Sequence, residues 1–120
     1  MSTLRVALVA EVFHEADGKE RLHARLAEAK ELGADLALLP ELALNPWSPA
    51  TKTVHEEDAE PPEGPRYHML QAAARGVGIG VVGGVIERDA NGARRSQSLV
   101  FDAMGKLRGS YAKCHLPEEE

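Results

Sequence analysis

The first 40 residues set the strongest constraint: two apolar runs on either side of one amphipathic stretch. Leu4 to Val12 is rich in Val and Leu and holds no turn residue. It reads as a buried strand. Asp35 to Leu39 is a second such run, stopped by Pro40. Between them Leu22, Leu26 and Ala29 recur at helical spacing, with Lys, Arg and Glu on the other face. Asp17 with Glu20 three residues on suits a capping box, and Gly33 suits a left-handed stop. The spacing predicts a helix over about 18–32. Strand, helix and strand in this order predict a βαβ unit with parallel strands.

Asn45 to Pro65 has a different texture. It holds five of the seven prolines and the acidic residues Glu56, Glu57, Asp58, Glu60 and Glu63. It is expected to be a long loop of about 45–65 with no regular element, its acids forming a solvated face. Pro65 then suits the first position of a helix, and Met69, Leu70 and Ala73 give that helix an apolar stripe ending near Gly76. Ile79–Ile86, Gln97–Asp102 and Leu107–Lys113 read as three further strands. Asn91-Gly92 and Met104-Gly105 provide the turns. The order is βαβ, a long loop, then αβββ, an α/β architecture.

Composition narrows the function. The 120 residues fit one domain, and their formal charge is −5, which disfavours nucleic acid as a partner. No apolar run approaches the roughly 20 residues of a membrane span or the 7–15 of a secretory h-region. A cytoplasmic location with no membrane partner is the expectation. One cysteine, Cys114, precludes an intramolecular disulfide, and no pair among the five histidines stands at metal-ligand spacing.

Three features invite a chemical reading. Gly78, Gly80 and Gly83 match a dinucleotide-binding spacing, but they fall inside a strand that follows a helix, so close packing explains them better. Glu41 stands just past a presumed parallel strand, at the edge where open α/β sheets place ligands. A carboxylate between Pro40 and Leu42 would be partly desolvated, which suits it to proton transfer near neutral pH. The competing reading is a strand-end glutamate in water. Lys113 ends the last strand, where alternation puts Leu107, Tyr111 and Lys113 on one face. It is either an edge-strand gatekeeper or a buried cation with a task. Cys114 would point to the opposite face.

These segments together resemble the nitrilase superfamily of carbon–nitrogen hydrolases. The match is carried by VALVA with GADLALLPELAL, by PPEGP leading into GIGVVGGVIERD, and by SLVFDAMGKLRGSYAKCHLPEEE. The resemblance implies an α-β-β-α sandwich and a Glu-Lys-Cys catalytic set, and it places the general base on Glu41 and the catalytic lysine on Lys113. A cysteine thiolate attacks an amide, carbamoyl or nitrile carbon, and water hydrolyses the resulting thioacyl enzyme. The mechanism implies no metal and no cofactor. HLPEEE looks closer to the amidase and N-carbamoyl-amine branches than to the true nitrilases, so the implied substrate is a small amide or N-carbamoyl amine. Trp47 is close enough to Glu41 in sequence to line a substrate pocket, with a packing role as the alternative.

The chain also departs from that pattern. The family's nucleophilic cysteine lies a few tens of residues beyond the lysine, whereas this sequence ends seven residues after Lys113. Ser96-Gln97-Ser98 stands where the family usually has Asn-Ser/Thr-Ala, and Glu11 where a Gln is common. The expectation is an incomplete, partial sandwich: residues 1–120 as the N-terminal half of a carbon–nitrogen hydrolase domain, inactive alone. Its partner would be a second copy or a complementing C-terminal half. The alternative is a non-catalytic half-sandwich module that self-associates or pairs with a second chain.

Overall fold

The computed structural model describes residues 4–13, 15–40, 43–44 and 59–112. Among them lie six strands and two helices: β1 (Val6–Leu8), α1 (Gly18–Glu31), β2 (Leu36–Leu38), β3 (Ala59–Glu60), α2 (Pro65–Val77), β4 (Gly80–Arg88), β5 (Arg94–Phe101) and β6 (Leu107–Ala112). The strands form one sheet in the order β1-β2-β4-β5-β6, with β3 also on β4. β1, β2 and β4 are mutually parallel; β5 and β6 add as antiparallel meanders.

The βαβ expectation holds, and its physical basis is visible in the core. Leu22 and Leu26 of α1 and Leu70 and Ala73 of α2 are fully buried against Ala37 and Val81 of the sheet. The path β1–β2–β4 steps in one direction across the sheet, and successive right-handed crossovers then place both helices on one face. Gly83 lets α2 sit close, since a Cβ there would lie 2.7 Å from the Leu70 side chain. Close packing, not phosphate binding, accounts for Gly80 and Gly83. Gly78 ends α2 in the left-handed conformation at φ 81°, which relieves the helix C-terminus before β4 begins.

Four expectations need correction. Leu4–Val12 is not a fully buried strand: Val6 and Leu8 are 43% and 79% exposed, because among the described residues only one face of the sheet carries helices. Asp17 makes no side-chain cap; it pairs with Arg21 instead. The proline-rich stretch does contain a regular element, since Ala59 and Glu60 pair with Ile86 and Glu87. Leu107 and Tyr111 do not share a face. The register slips by one residue between Val100 and Phe101, so Leu107 lies opposite buried Phe101 while Tyr111 lies opposite Ser98. A bulge reverses side-chain alternation beyond it. Tyr111 therefore stands on the helix-free face, 71% exposed.

Candidate functional site

Glu41, Lys113, Trp47 and Cys114 lie outside the described residues, whereas the strands that precede Glu41 and Lys113 lie within them. β2 runs toward Pro40, directly before Glu41, and β6 runs to Ala112, directly before Lys113. β6 is antiparallel to β5, and β5 to β4, so β6 runs parallel to β4 and β2. The C-terminal ends of β2 and β6 therefore emerge at the same edge of the sheet. Ala112 pairs with Gln97, Gln97 with Val85, and Leu38 with Val82, so the end of β6 lies three residues further along. Three strand spacings separate β2 from β6, roughly 14 Å.

β2 leaves β4 at this edge. Leu39 donates its N–H to the Val82 carbonyl as the last contact of that pair, and β3 joins β4 again only at Ile86. Several hydrogen bonds pin the chain where it leaves. The Ala43 N–H donates to the Pro40 carbonyl at 3.2 Å. The Phe13 N–H donates to the Ala43 carbonyl at 2.6 Å. Arg66 Nε donates to the Leu44 carbonyl at 3.3 Å. Ala43 and Leu44 are both buried. Ala43 and Leu44 are thus held from two neighbouring elements.

Each of those elements is itself anchored. Phe13 is 2% exposed and carries the Arg21 guanidinium over its ring at 5.7 Å. Gly18, which opens α1, abuts the Phe13 backbone so closely that a Cβ would lie 2.0 Å from the Phe13 oxygen. Glu11 accepts from Arg21 and from Arg25 Nε, which binds the strand-1 extension to α1. The hydrogen bond from Arg21 is the main cause holding the Glu11 carboxyl below its ordinary value; burial opposes it, and Arg25 adds to it.

Glu60 is the residue that sequence reasoning missed. The sequence pattern places it on a solvated acidic face, yet it is 3% exposed. Its Oε1 accepts the Arg66 N–H at 2.9 Å and its Oε2 the Tyr67 N–H at 3.0 Å. Oε1 also lies 3.6 Å from the Arg66 guanidinium. These two N–H groups belong to the first turn of α2, where the helix itself supplies no acceptor and a negative charge is favoured. The sequence did hold a signal. Gly64 directly before Pro65 gives that helix no capping side chain of its own, so an acceptor must come from elsewhere. Among the described residues, no three His, Cys, Asp or Glu side chains are grouped to hold a metal ion.

Comparison with known proteins gives the family. The carbon-nitrogen hydrolase family model matches residues 6–120. The chain is 33% identical over 98 residues to the chloroplastic omega-amidase of Arabidopsis thaliana, a match that covers 78% of this chain and 27% of that protein. An amidase from Nesterenkonia sp. superposes with a TM-score of 0.70 at 25% identity, covering 98% of this chain and 46% of the other. A variant of the Nesterenkonia AN1 amidase, described as of the nitrilase superfamily, gives 0.71 at 25% identity, covering 98% and 47%. The chain belongs to the carbon–nitrogen hydrolase family. Its fold is a partial version of the one found in nitrilase-superfamily amidases, and it spans about a quarter to a half of the length of these relatives.

Proposed function

We propose that this chain supplies the glutamate and lysine of a Glu-Lys-Cys hydrolase acting on small amides or N-carbamoyl amines. Glu41 takes the proton of the attacking thiol and later activates the water that releases the acyl group. Lys113 stabilises the charge that develops on the substrate oxygen or nitrogen. The nucleophile is a cysteine outside these 120 residues, because Cys114 adjoins the lysine in sequence. One observation carries the reading: the C-terminal ends of β2 and β6 reach one edge of one sheet, and the two candidate residues follow them in the sequence. The names of its amidase relatives favour the amide over the nitrile.

Purified 120-residue protein should release no ammonia from small aliphatic amides. Activity should appear when a cysteine-bearing C-terminal half is added. In that assembled enzyme Lys113→Ala should lower kcat by about 100-fold or more, as loss of an oxyanion-type stabiliser does. A near-normal rate in that variant, or hydrolysis by the 120-residue chain alone, overturns the reading.

A second reading has its own observation. The helix-free sheet face leaves Leu8 and Tyr111 largely exposed, which suits a module that associates through that face without catalysis.

A further inference from the structure

We propose that Arg66 is a positioning residue for Glu41, acting through the Ala43–Leu44 segment that follows it in the sequence, with Glu60 setting the position of Arg66; the proposal rests on the assignment of Glu41 as the base. Three facts converge on Arg66. Its backbone N–H is fixed by Glu60 Oε1 at 2.9 Å, in the first turn of α2. Its guanidinium lies 3.6 Å from the same oxygen. Its Nε then reaches across to the Leu44 carbonyl at 3.3 Å. The side chain is 17% exposed, and Glu60 and Leu44 are buried. One carboxylate thus anchors Arg66 at both its backbone and its side chain. The same side chain also binds the segment that holds Ala43 and Leu44.

The linkage follows the layout of the sheet. β3 rejoins β4 at Ile86, just past the point where β2 departs after Val82. Glu60 at the end of β3 is therefore beside the departing segment, and α2 begins there. A charge-assisted hydrogen bond to a buried carbonyl resists displacement more than a neutral one does. On the other side, Phe13 holds the Ala43 carbonyl. Ala43 and Leu44 are clamped between the strand-1 extension and the start of α2. Neither Arg66 nor Glu60 needs to touch substrate for this purpose.

Amide hydrogen exchange on the 120-residue protein tests the proposal, with Arg66→Met, Arg66→Lys and Glu60→Gln compared with the parent. The Phe13 and Ala43 amides report the clamped segment; those of Val81 and Val85 report the sheet. Arg66→Met should speed exchange at Phe13 and Ala43 by about 10-fold or more, the effect of losing a hydrogen bond from a charged donor. Val81 and Val85 should hold. Arg66→Lys keeps a cationic donor and should restore much of the protection. Unchanged exchange at Phe13 and Ala43, or an equal rise at all four amides, overturns the proposal. Should Arg66→Met fail to fold, Glu60→Gln decides the matter, because it keeps a capping acceptor while removing the charge. It must loosen Phe13 and Ala43 more than Val81 and Val85, and a nil or uniform effect overturns the proposal.

In the enzyme assembled with a cysteine-bearing half, Arg66→Met should lower kcat and leave KM nearly unchanged, with Arg66→Lys recovering the rate. If the Phe13 and Ala43 amides loosen while the rate is untouched, Glu41 is not the base. In that case the proposed function fails and the clamp on Ala43 and Leu44 stands.

Discussion

Gly64 leaves the space that the Glu60 carboxylate occupies. A Cβ at position 64 would stand 2.8 Å from both Cβ and Oε2 of Glu60. The backbone at Gly64 is extended, with φ −79°, so glycine is required here for room and not for conformation. The glycine and the buried acid form one device: the missing side chain admits the carboxylate, and the carboxylate caps α2 in its place. Gly64→Ala should therefore destabilise the fold by about 1–3 kcal/mol through overpacking. Glu60→Ala should cost a similar ~1–3 kcal/mol by leaving two helix N–H groups unpaired. Urea unfolding of each variant and of the double variant measures both. The double should cost less than the sum, because either change alone already disrupts the same cap.

The glycines of the sheet separate into two kinds. Gly83 faces α2, where a Cβ would lie 2.7 Å from a Leu70 side chain that is fully buried and cannot swing aside. Gly83→Ala should lower stability by about 1–3 kcal/mol. Gly109 in β6 has nothing within 4 Å of its would-be Cβ. Gly109→Ala should be neutral or stabilise by up to ~1 kcal/mol, since it restricts the unfolded chain. Thermal unfolding of the pair distinguishes packing from general strand propensity.

Glu11 makes part of the stability depend on pH. Its carboxyl is held below the 4.5 of a free glutamate, chiefly by the Arg21 hydrogen bond. A depressed folded value means that the contribution is fully present above about pH 5 and is lost as pH falls through the folded value. The melting temperature of Glu11→Gln should therefore lie below the parent's near neutrality, and the two curves should converge in acid. Raising the salt concentration should also narrow the gap, because the pair is partly exposed. Thermal melts from pH 3 to 7 at low and high salt give both comparisons.

The helix-free face predicts association of the 120-residue chain. Leu8 of β1 and Tyr111 of β6 stand on that face, 79% and 71% exposed. Leu8→Lys together with Tyr111→Lys should reduce association in light scattering without lowering the melting temperature, since neither side chain packs in the core. Unchanged association would place the contact elsewhere.

The sequence determined what depends on local pattern. Apolar runs and helical spacing located both helices and five of the strands within a few residues, because periodicity reflects which side of an element meets the core. LLPEL and the terminal Y-x-K-x-HLP pointed to the family that the comparison with known proteins then established. Other features were illegible because they depend on residues distant in the chain. Glu60 looks like one acid among several until the fold sets it against the first turn of α2 and excludes water from it. β3 is two residues long and exists because β4 offers it an edge beyond the end of β2. The bulge near Gly109 turns Tyr111 away from Leu107, and one slipped residue in a strand pair leaves no periodic trace in a six-residue strand. The surroundings of Ala43 and Leu44, just after Glu41 in the sequence, are the last such case. The sequence could name the glutamate, but only tertiary structure brings Phe13 and Arg66 to the two carbonyls that follow it, because they approach from separate elements.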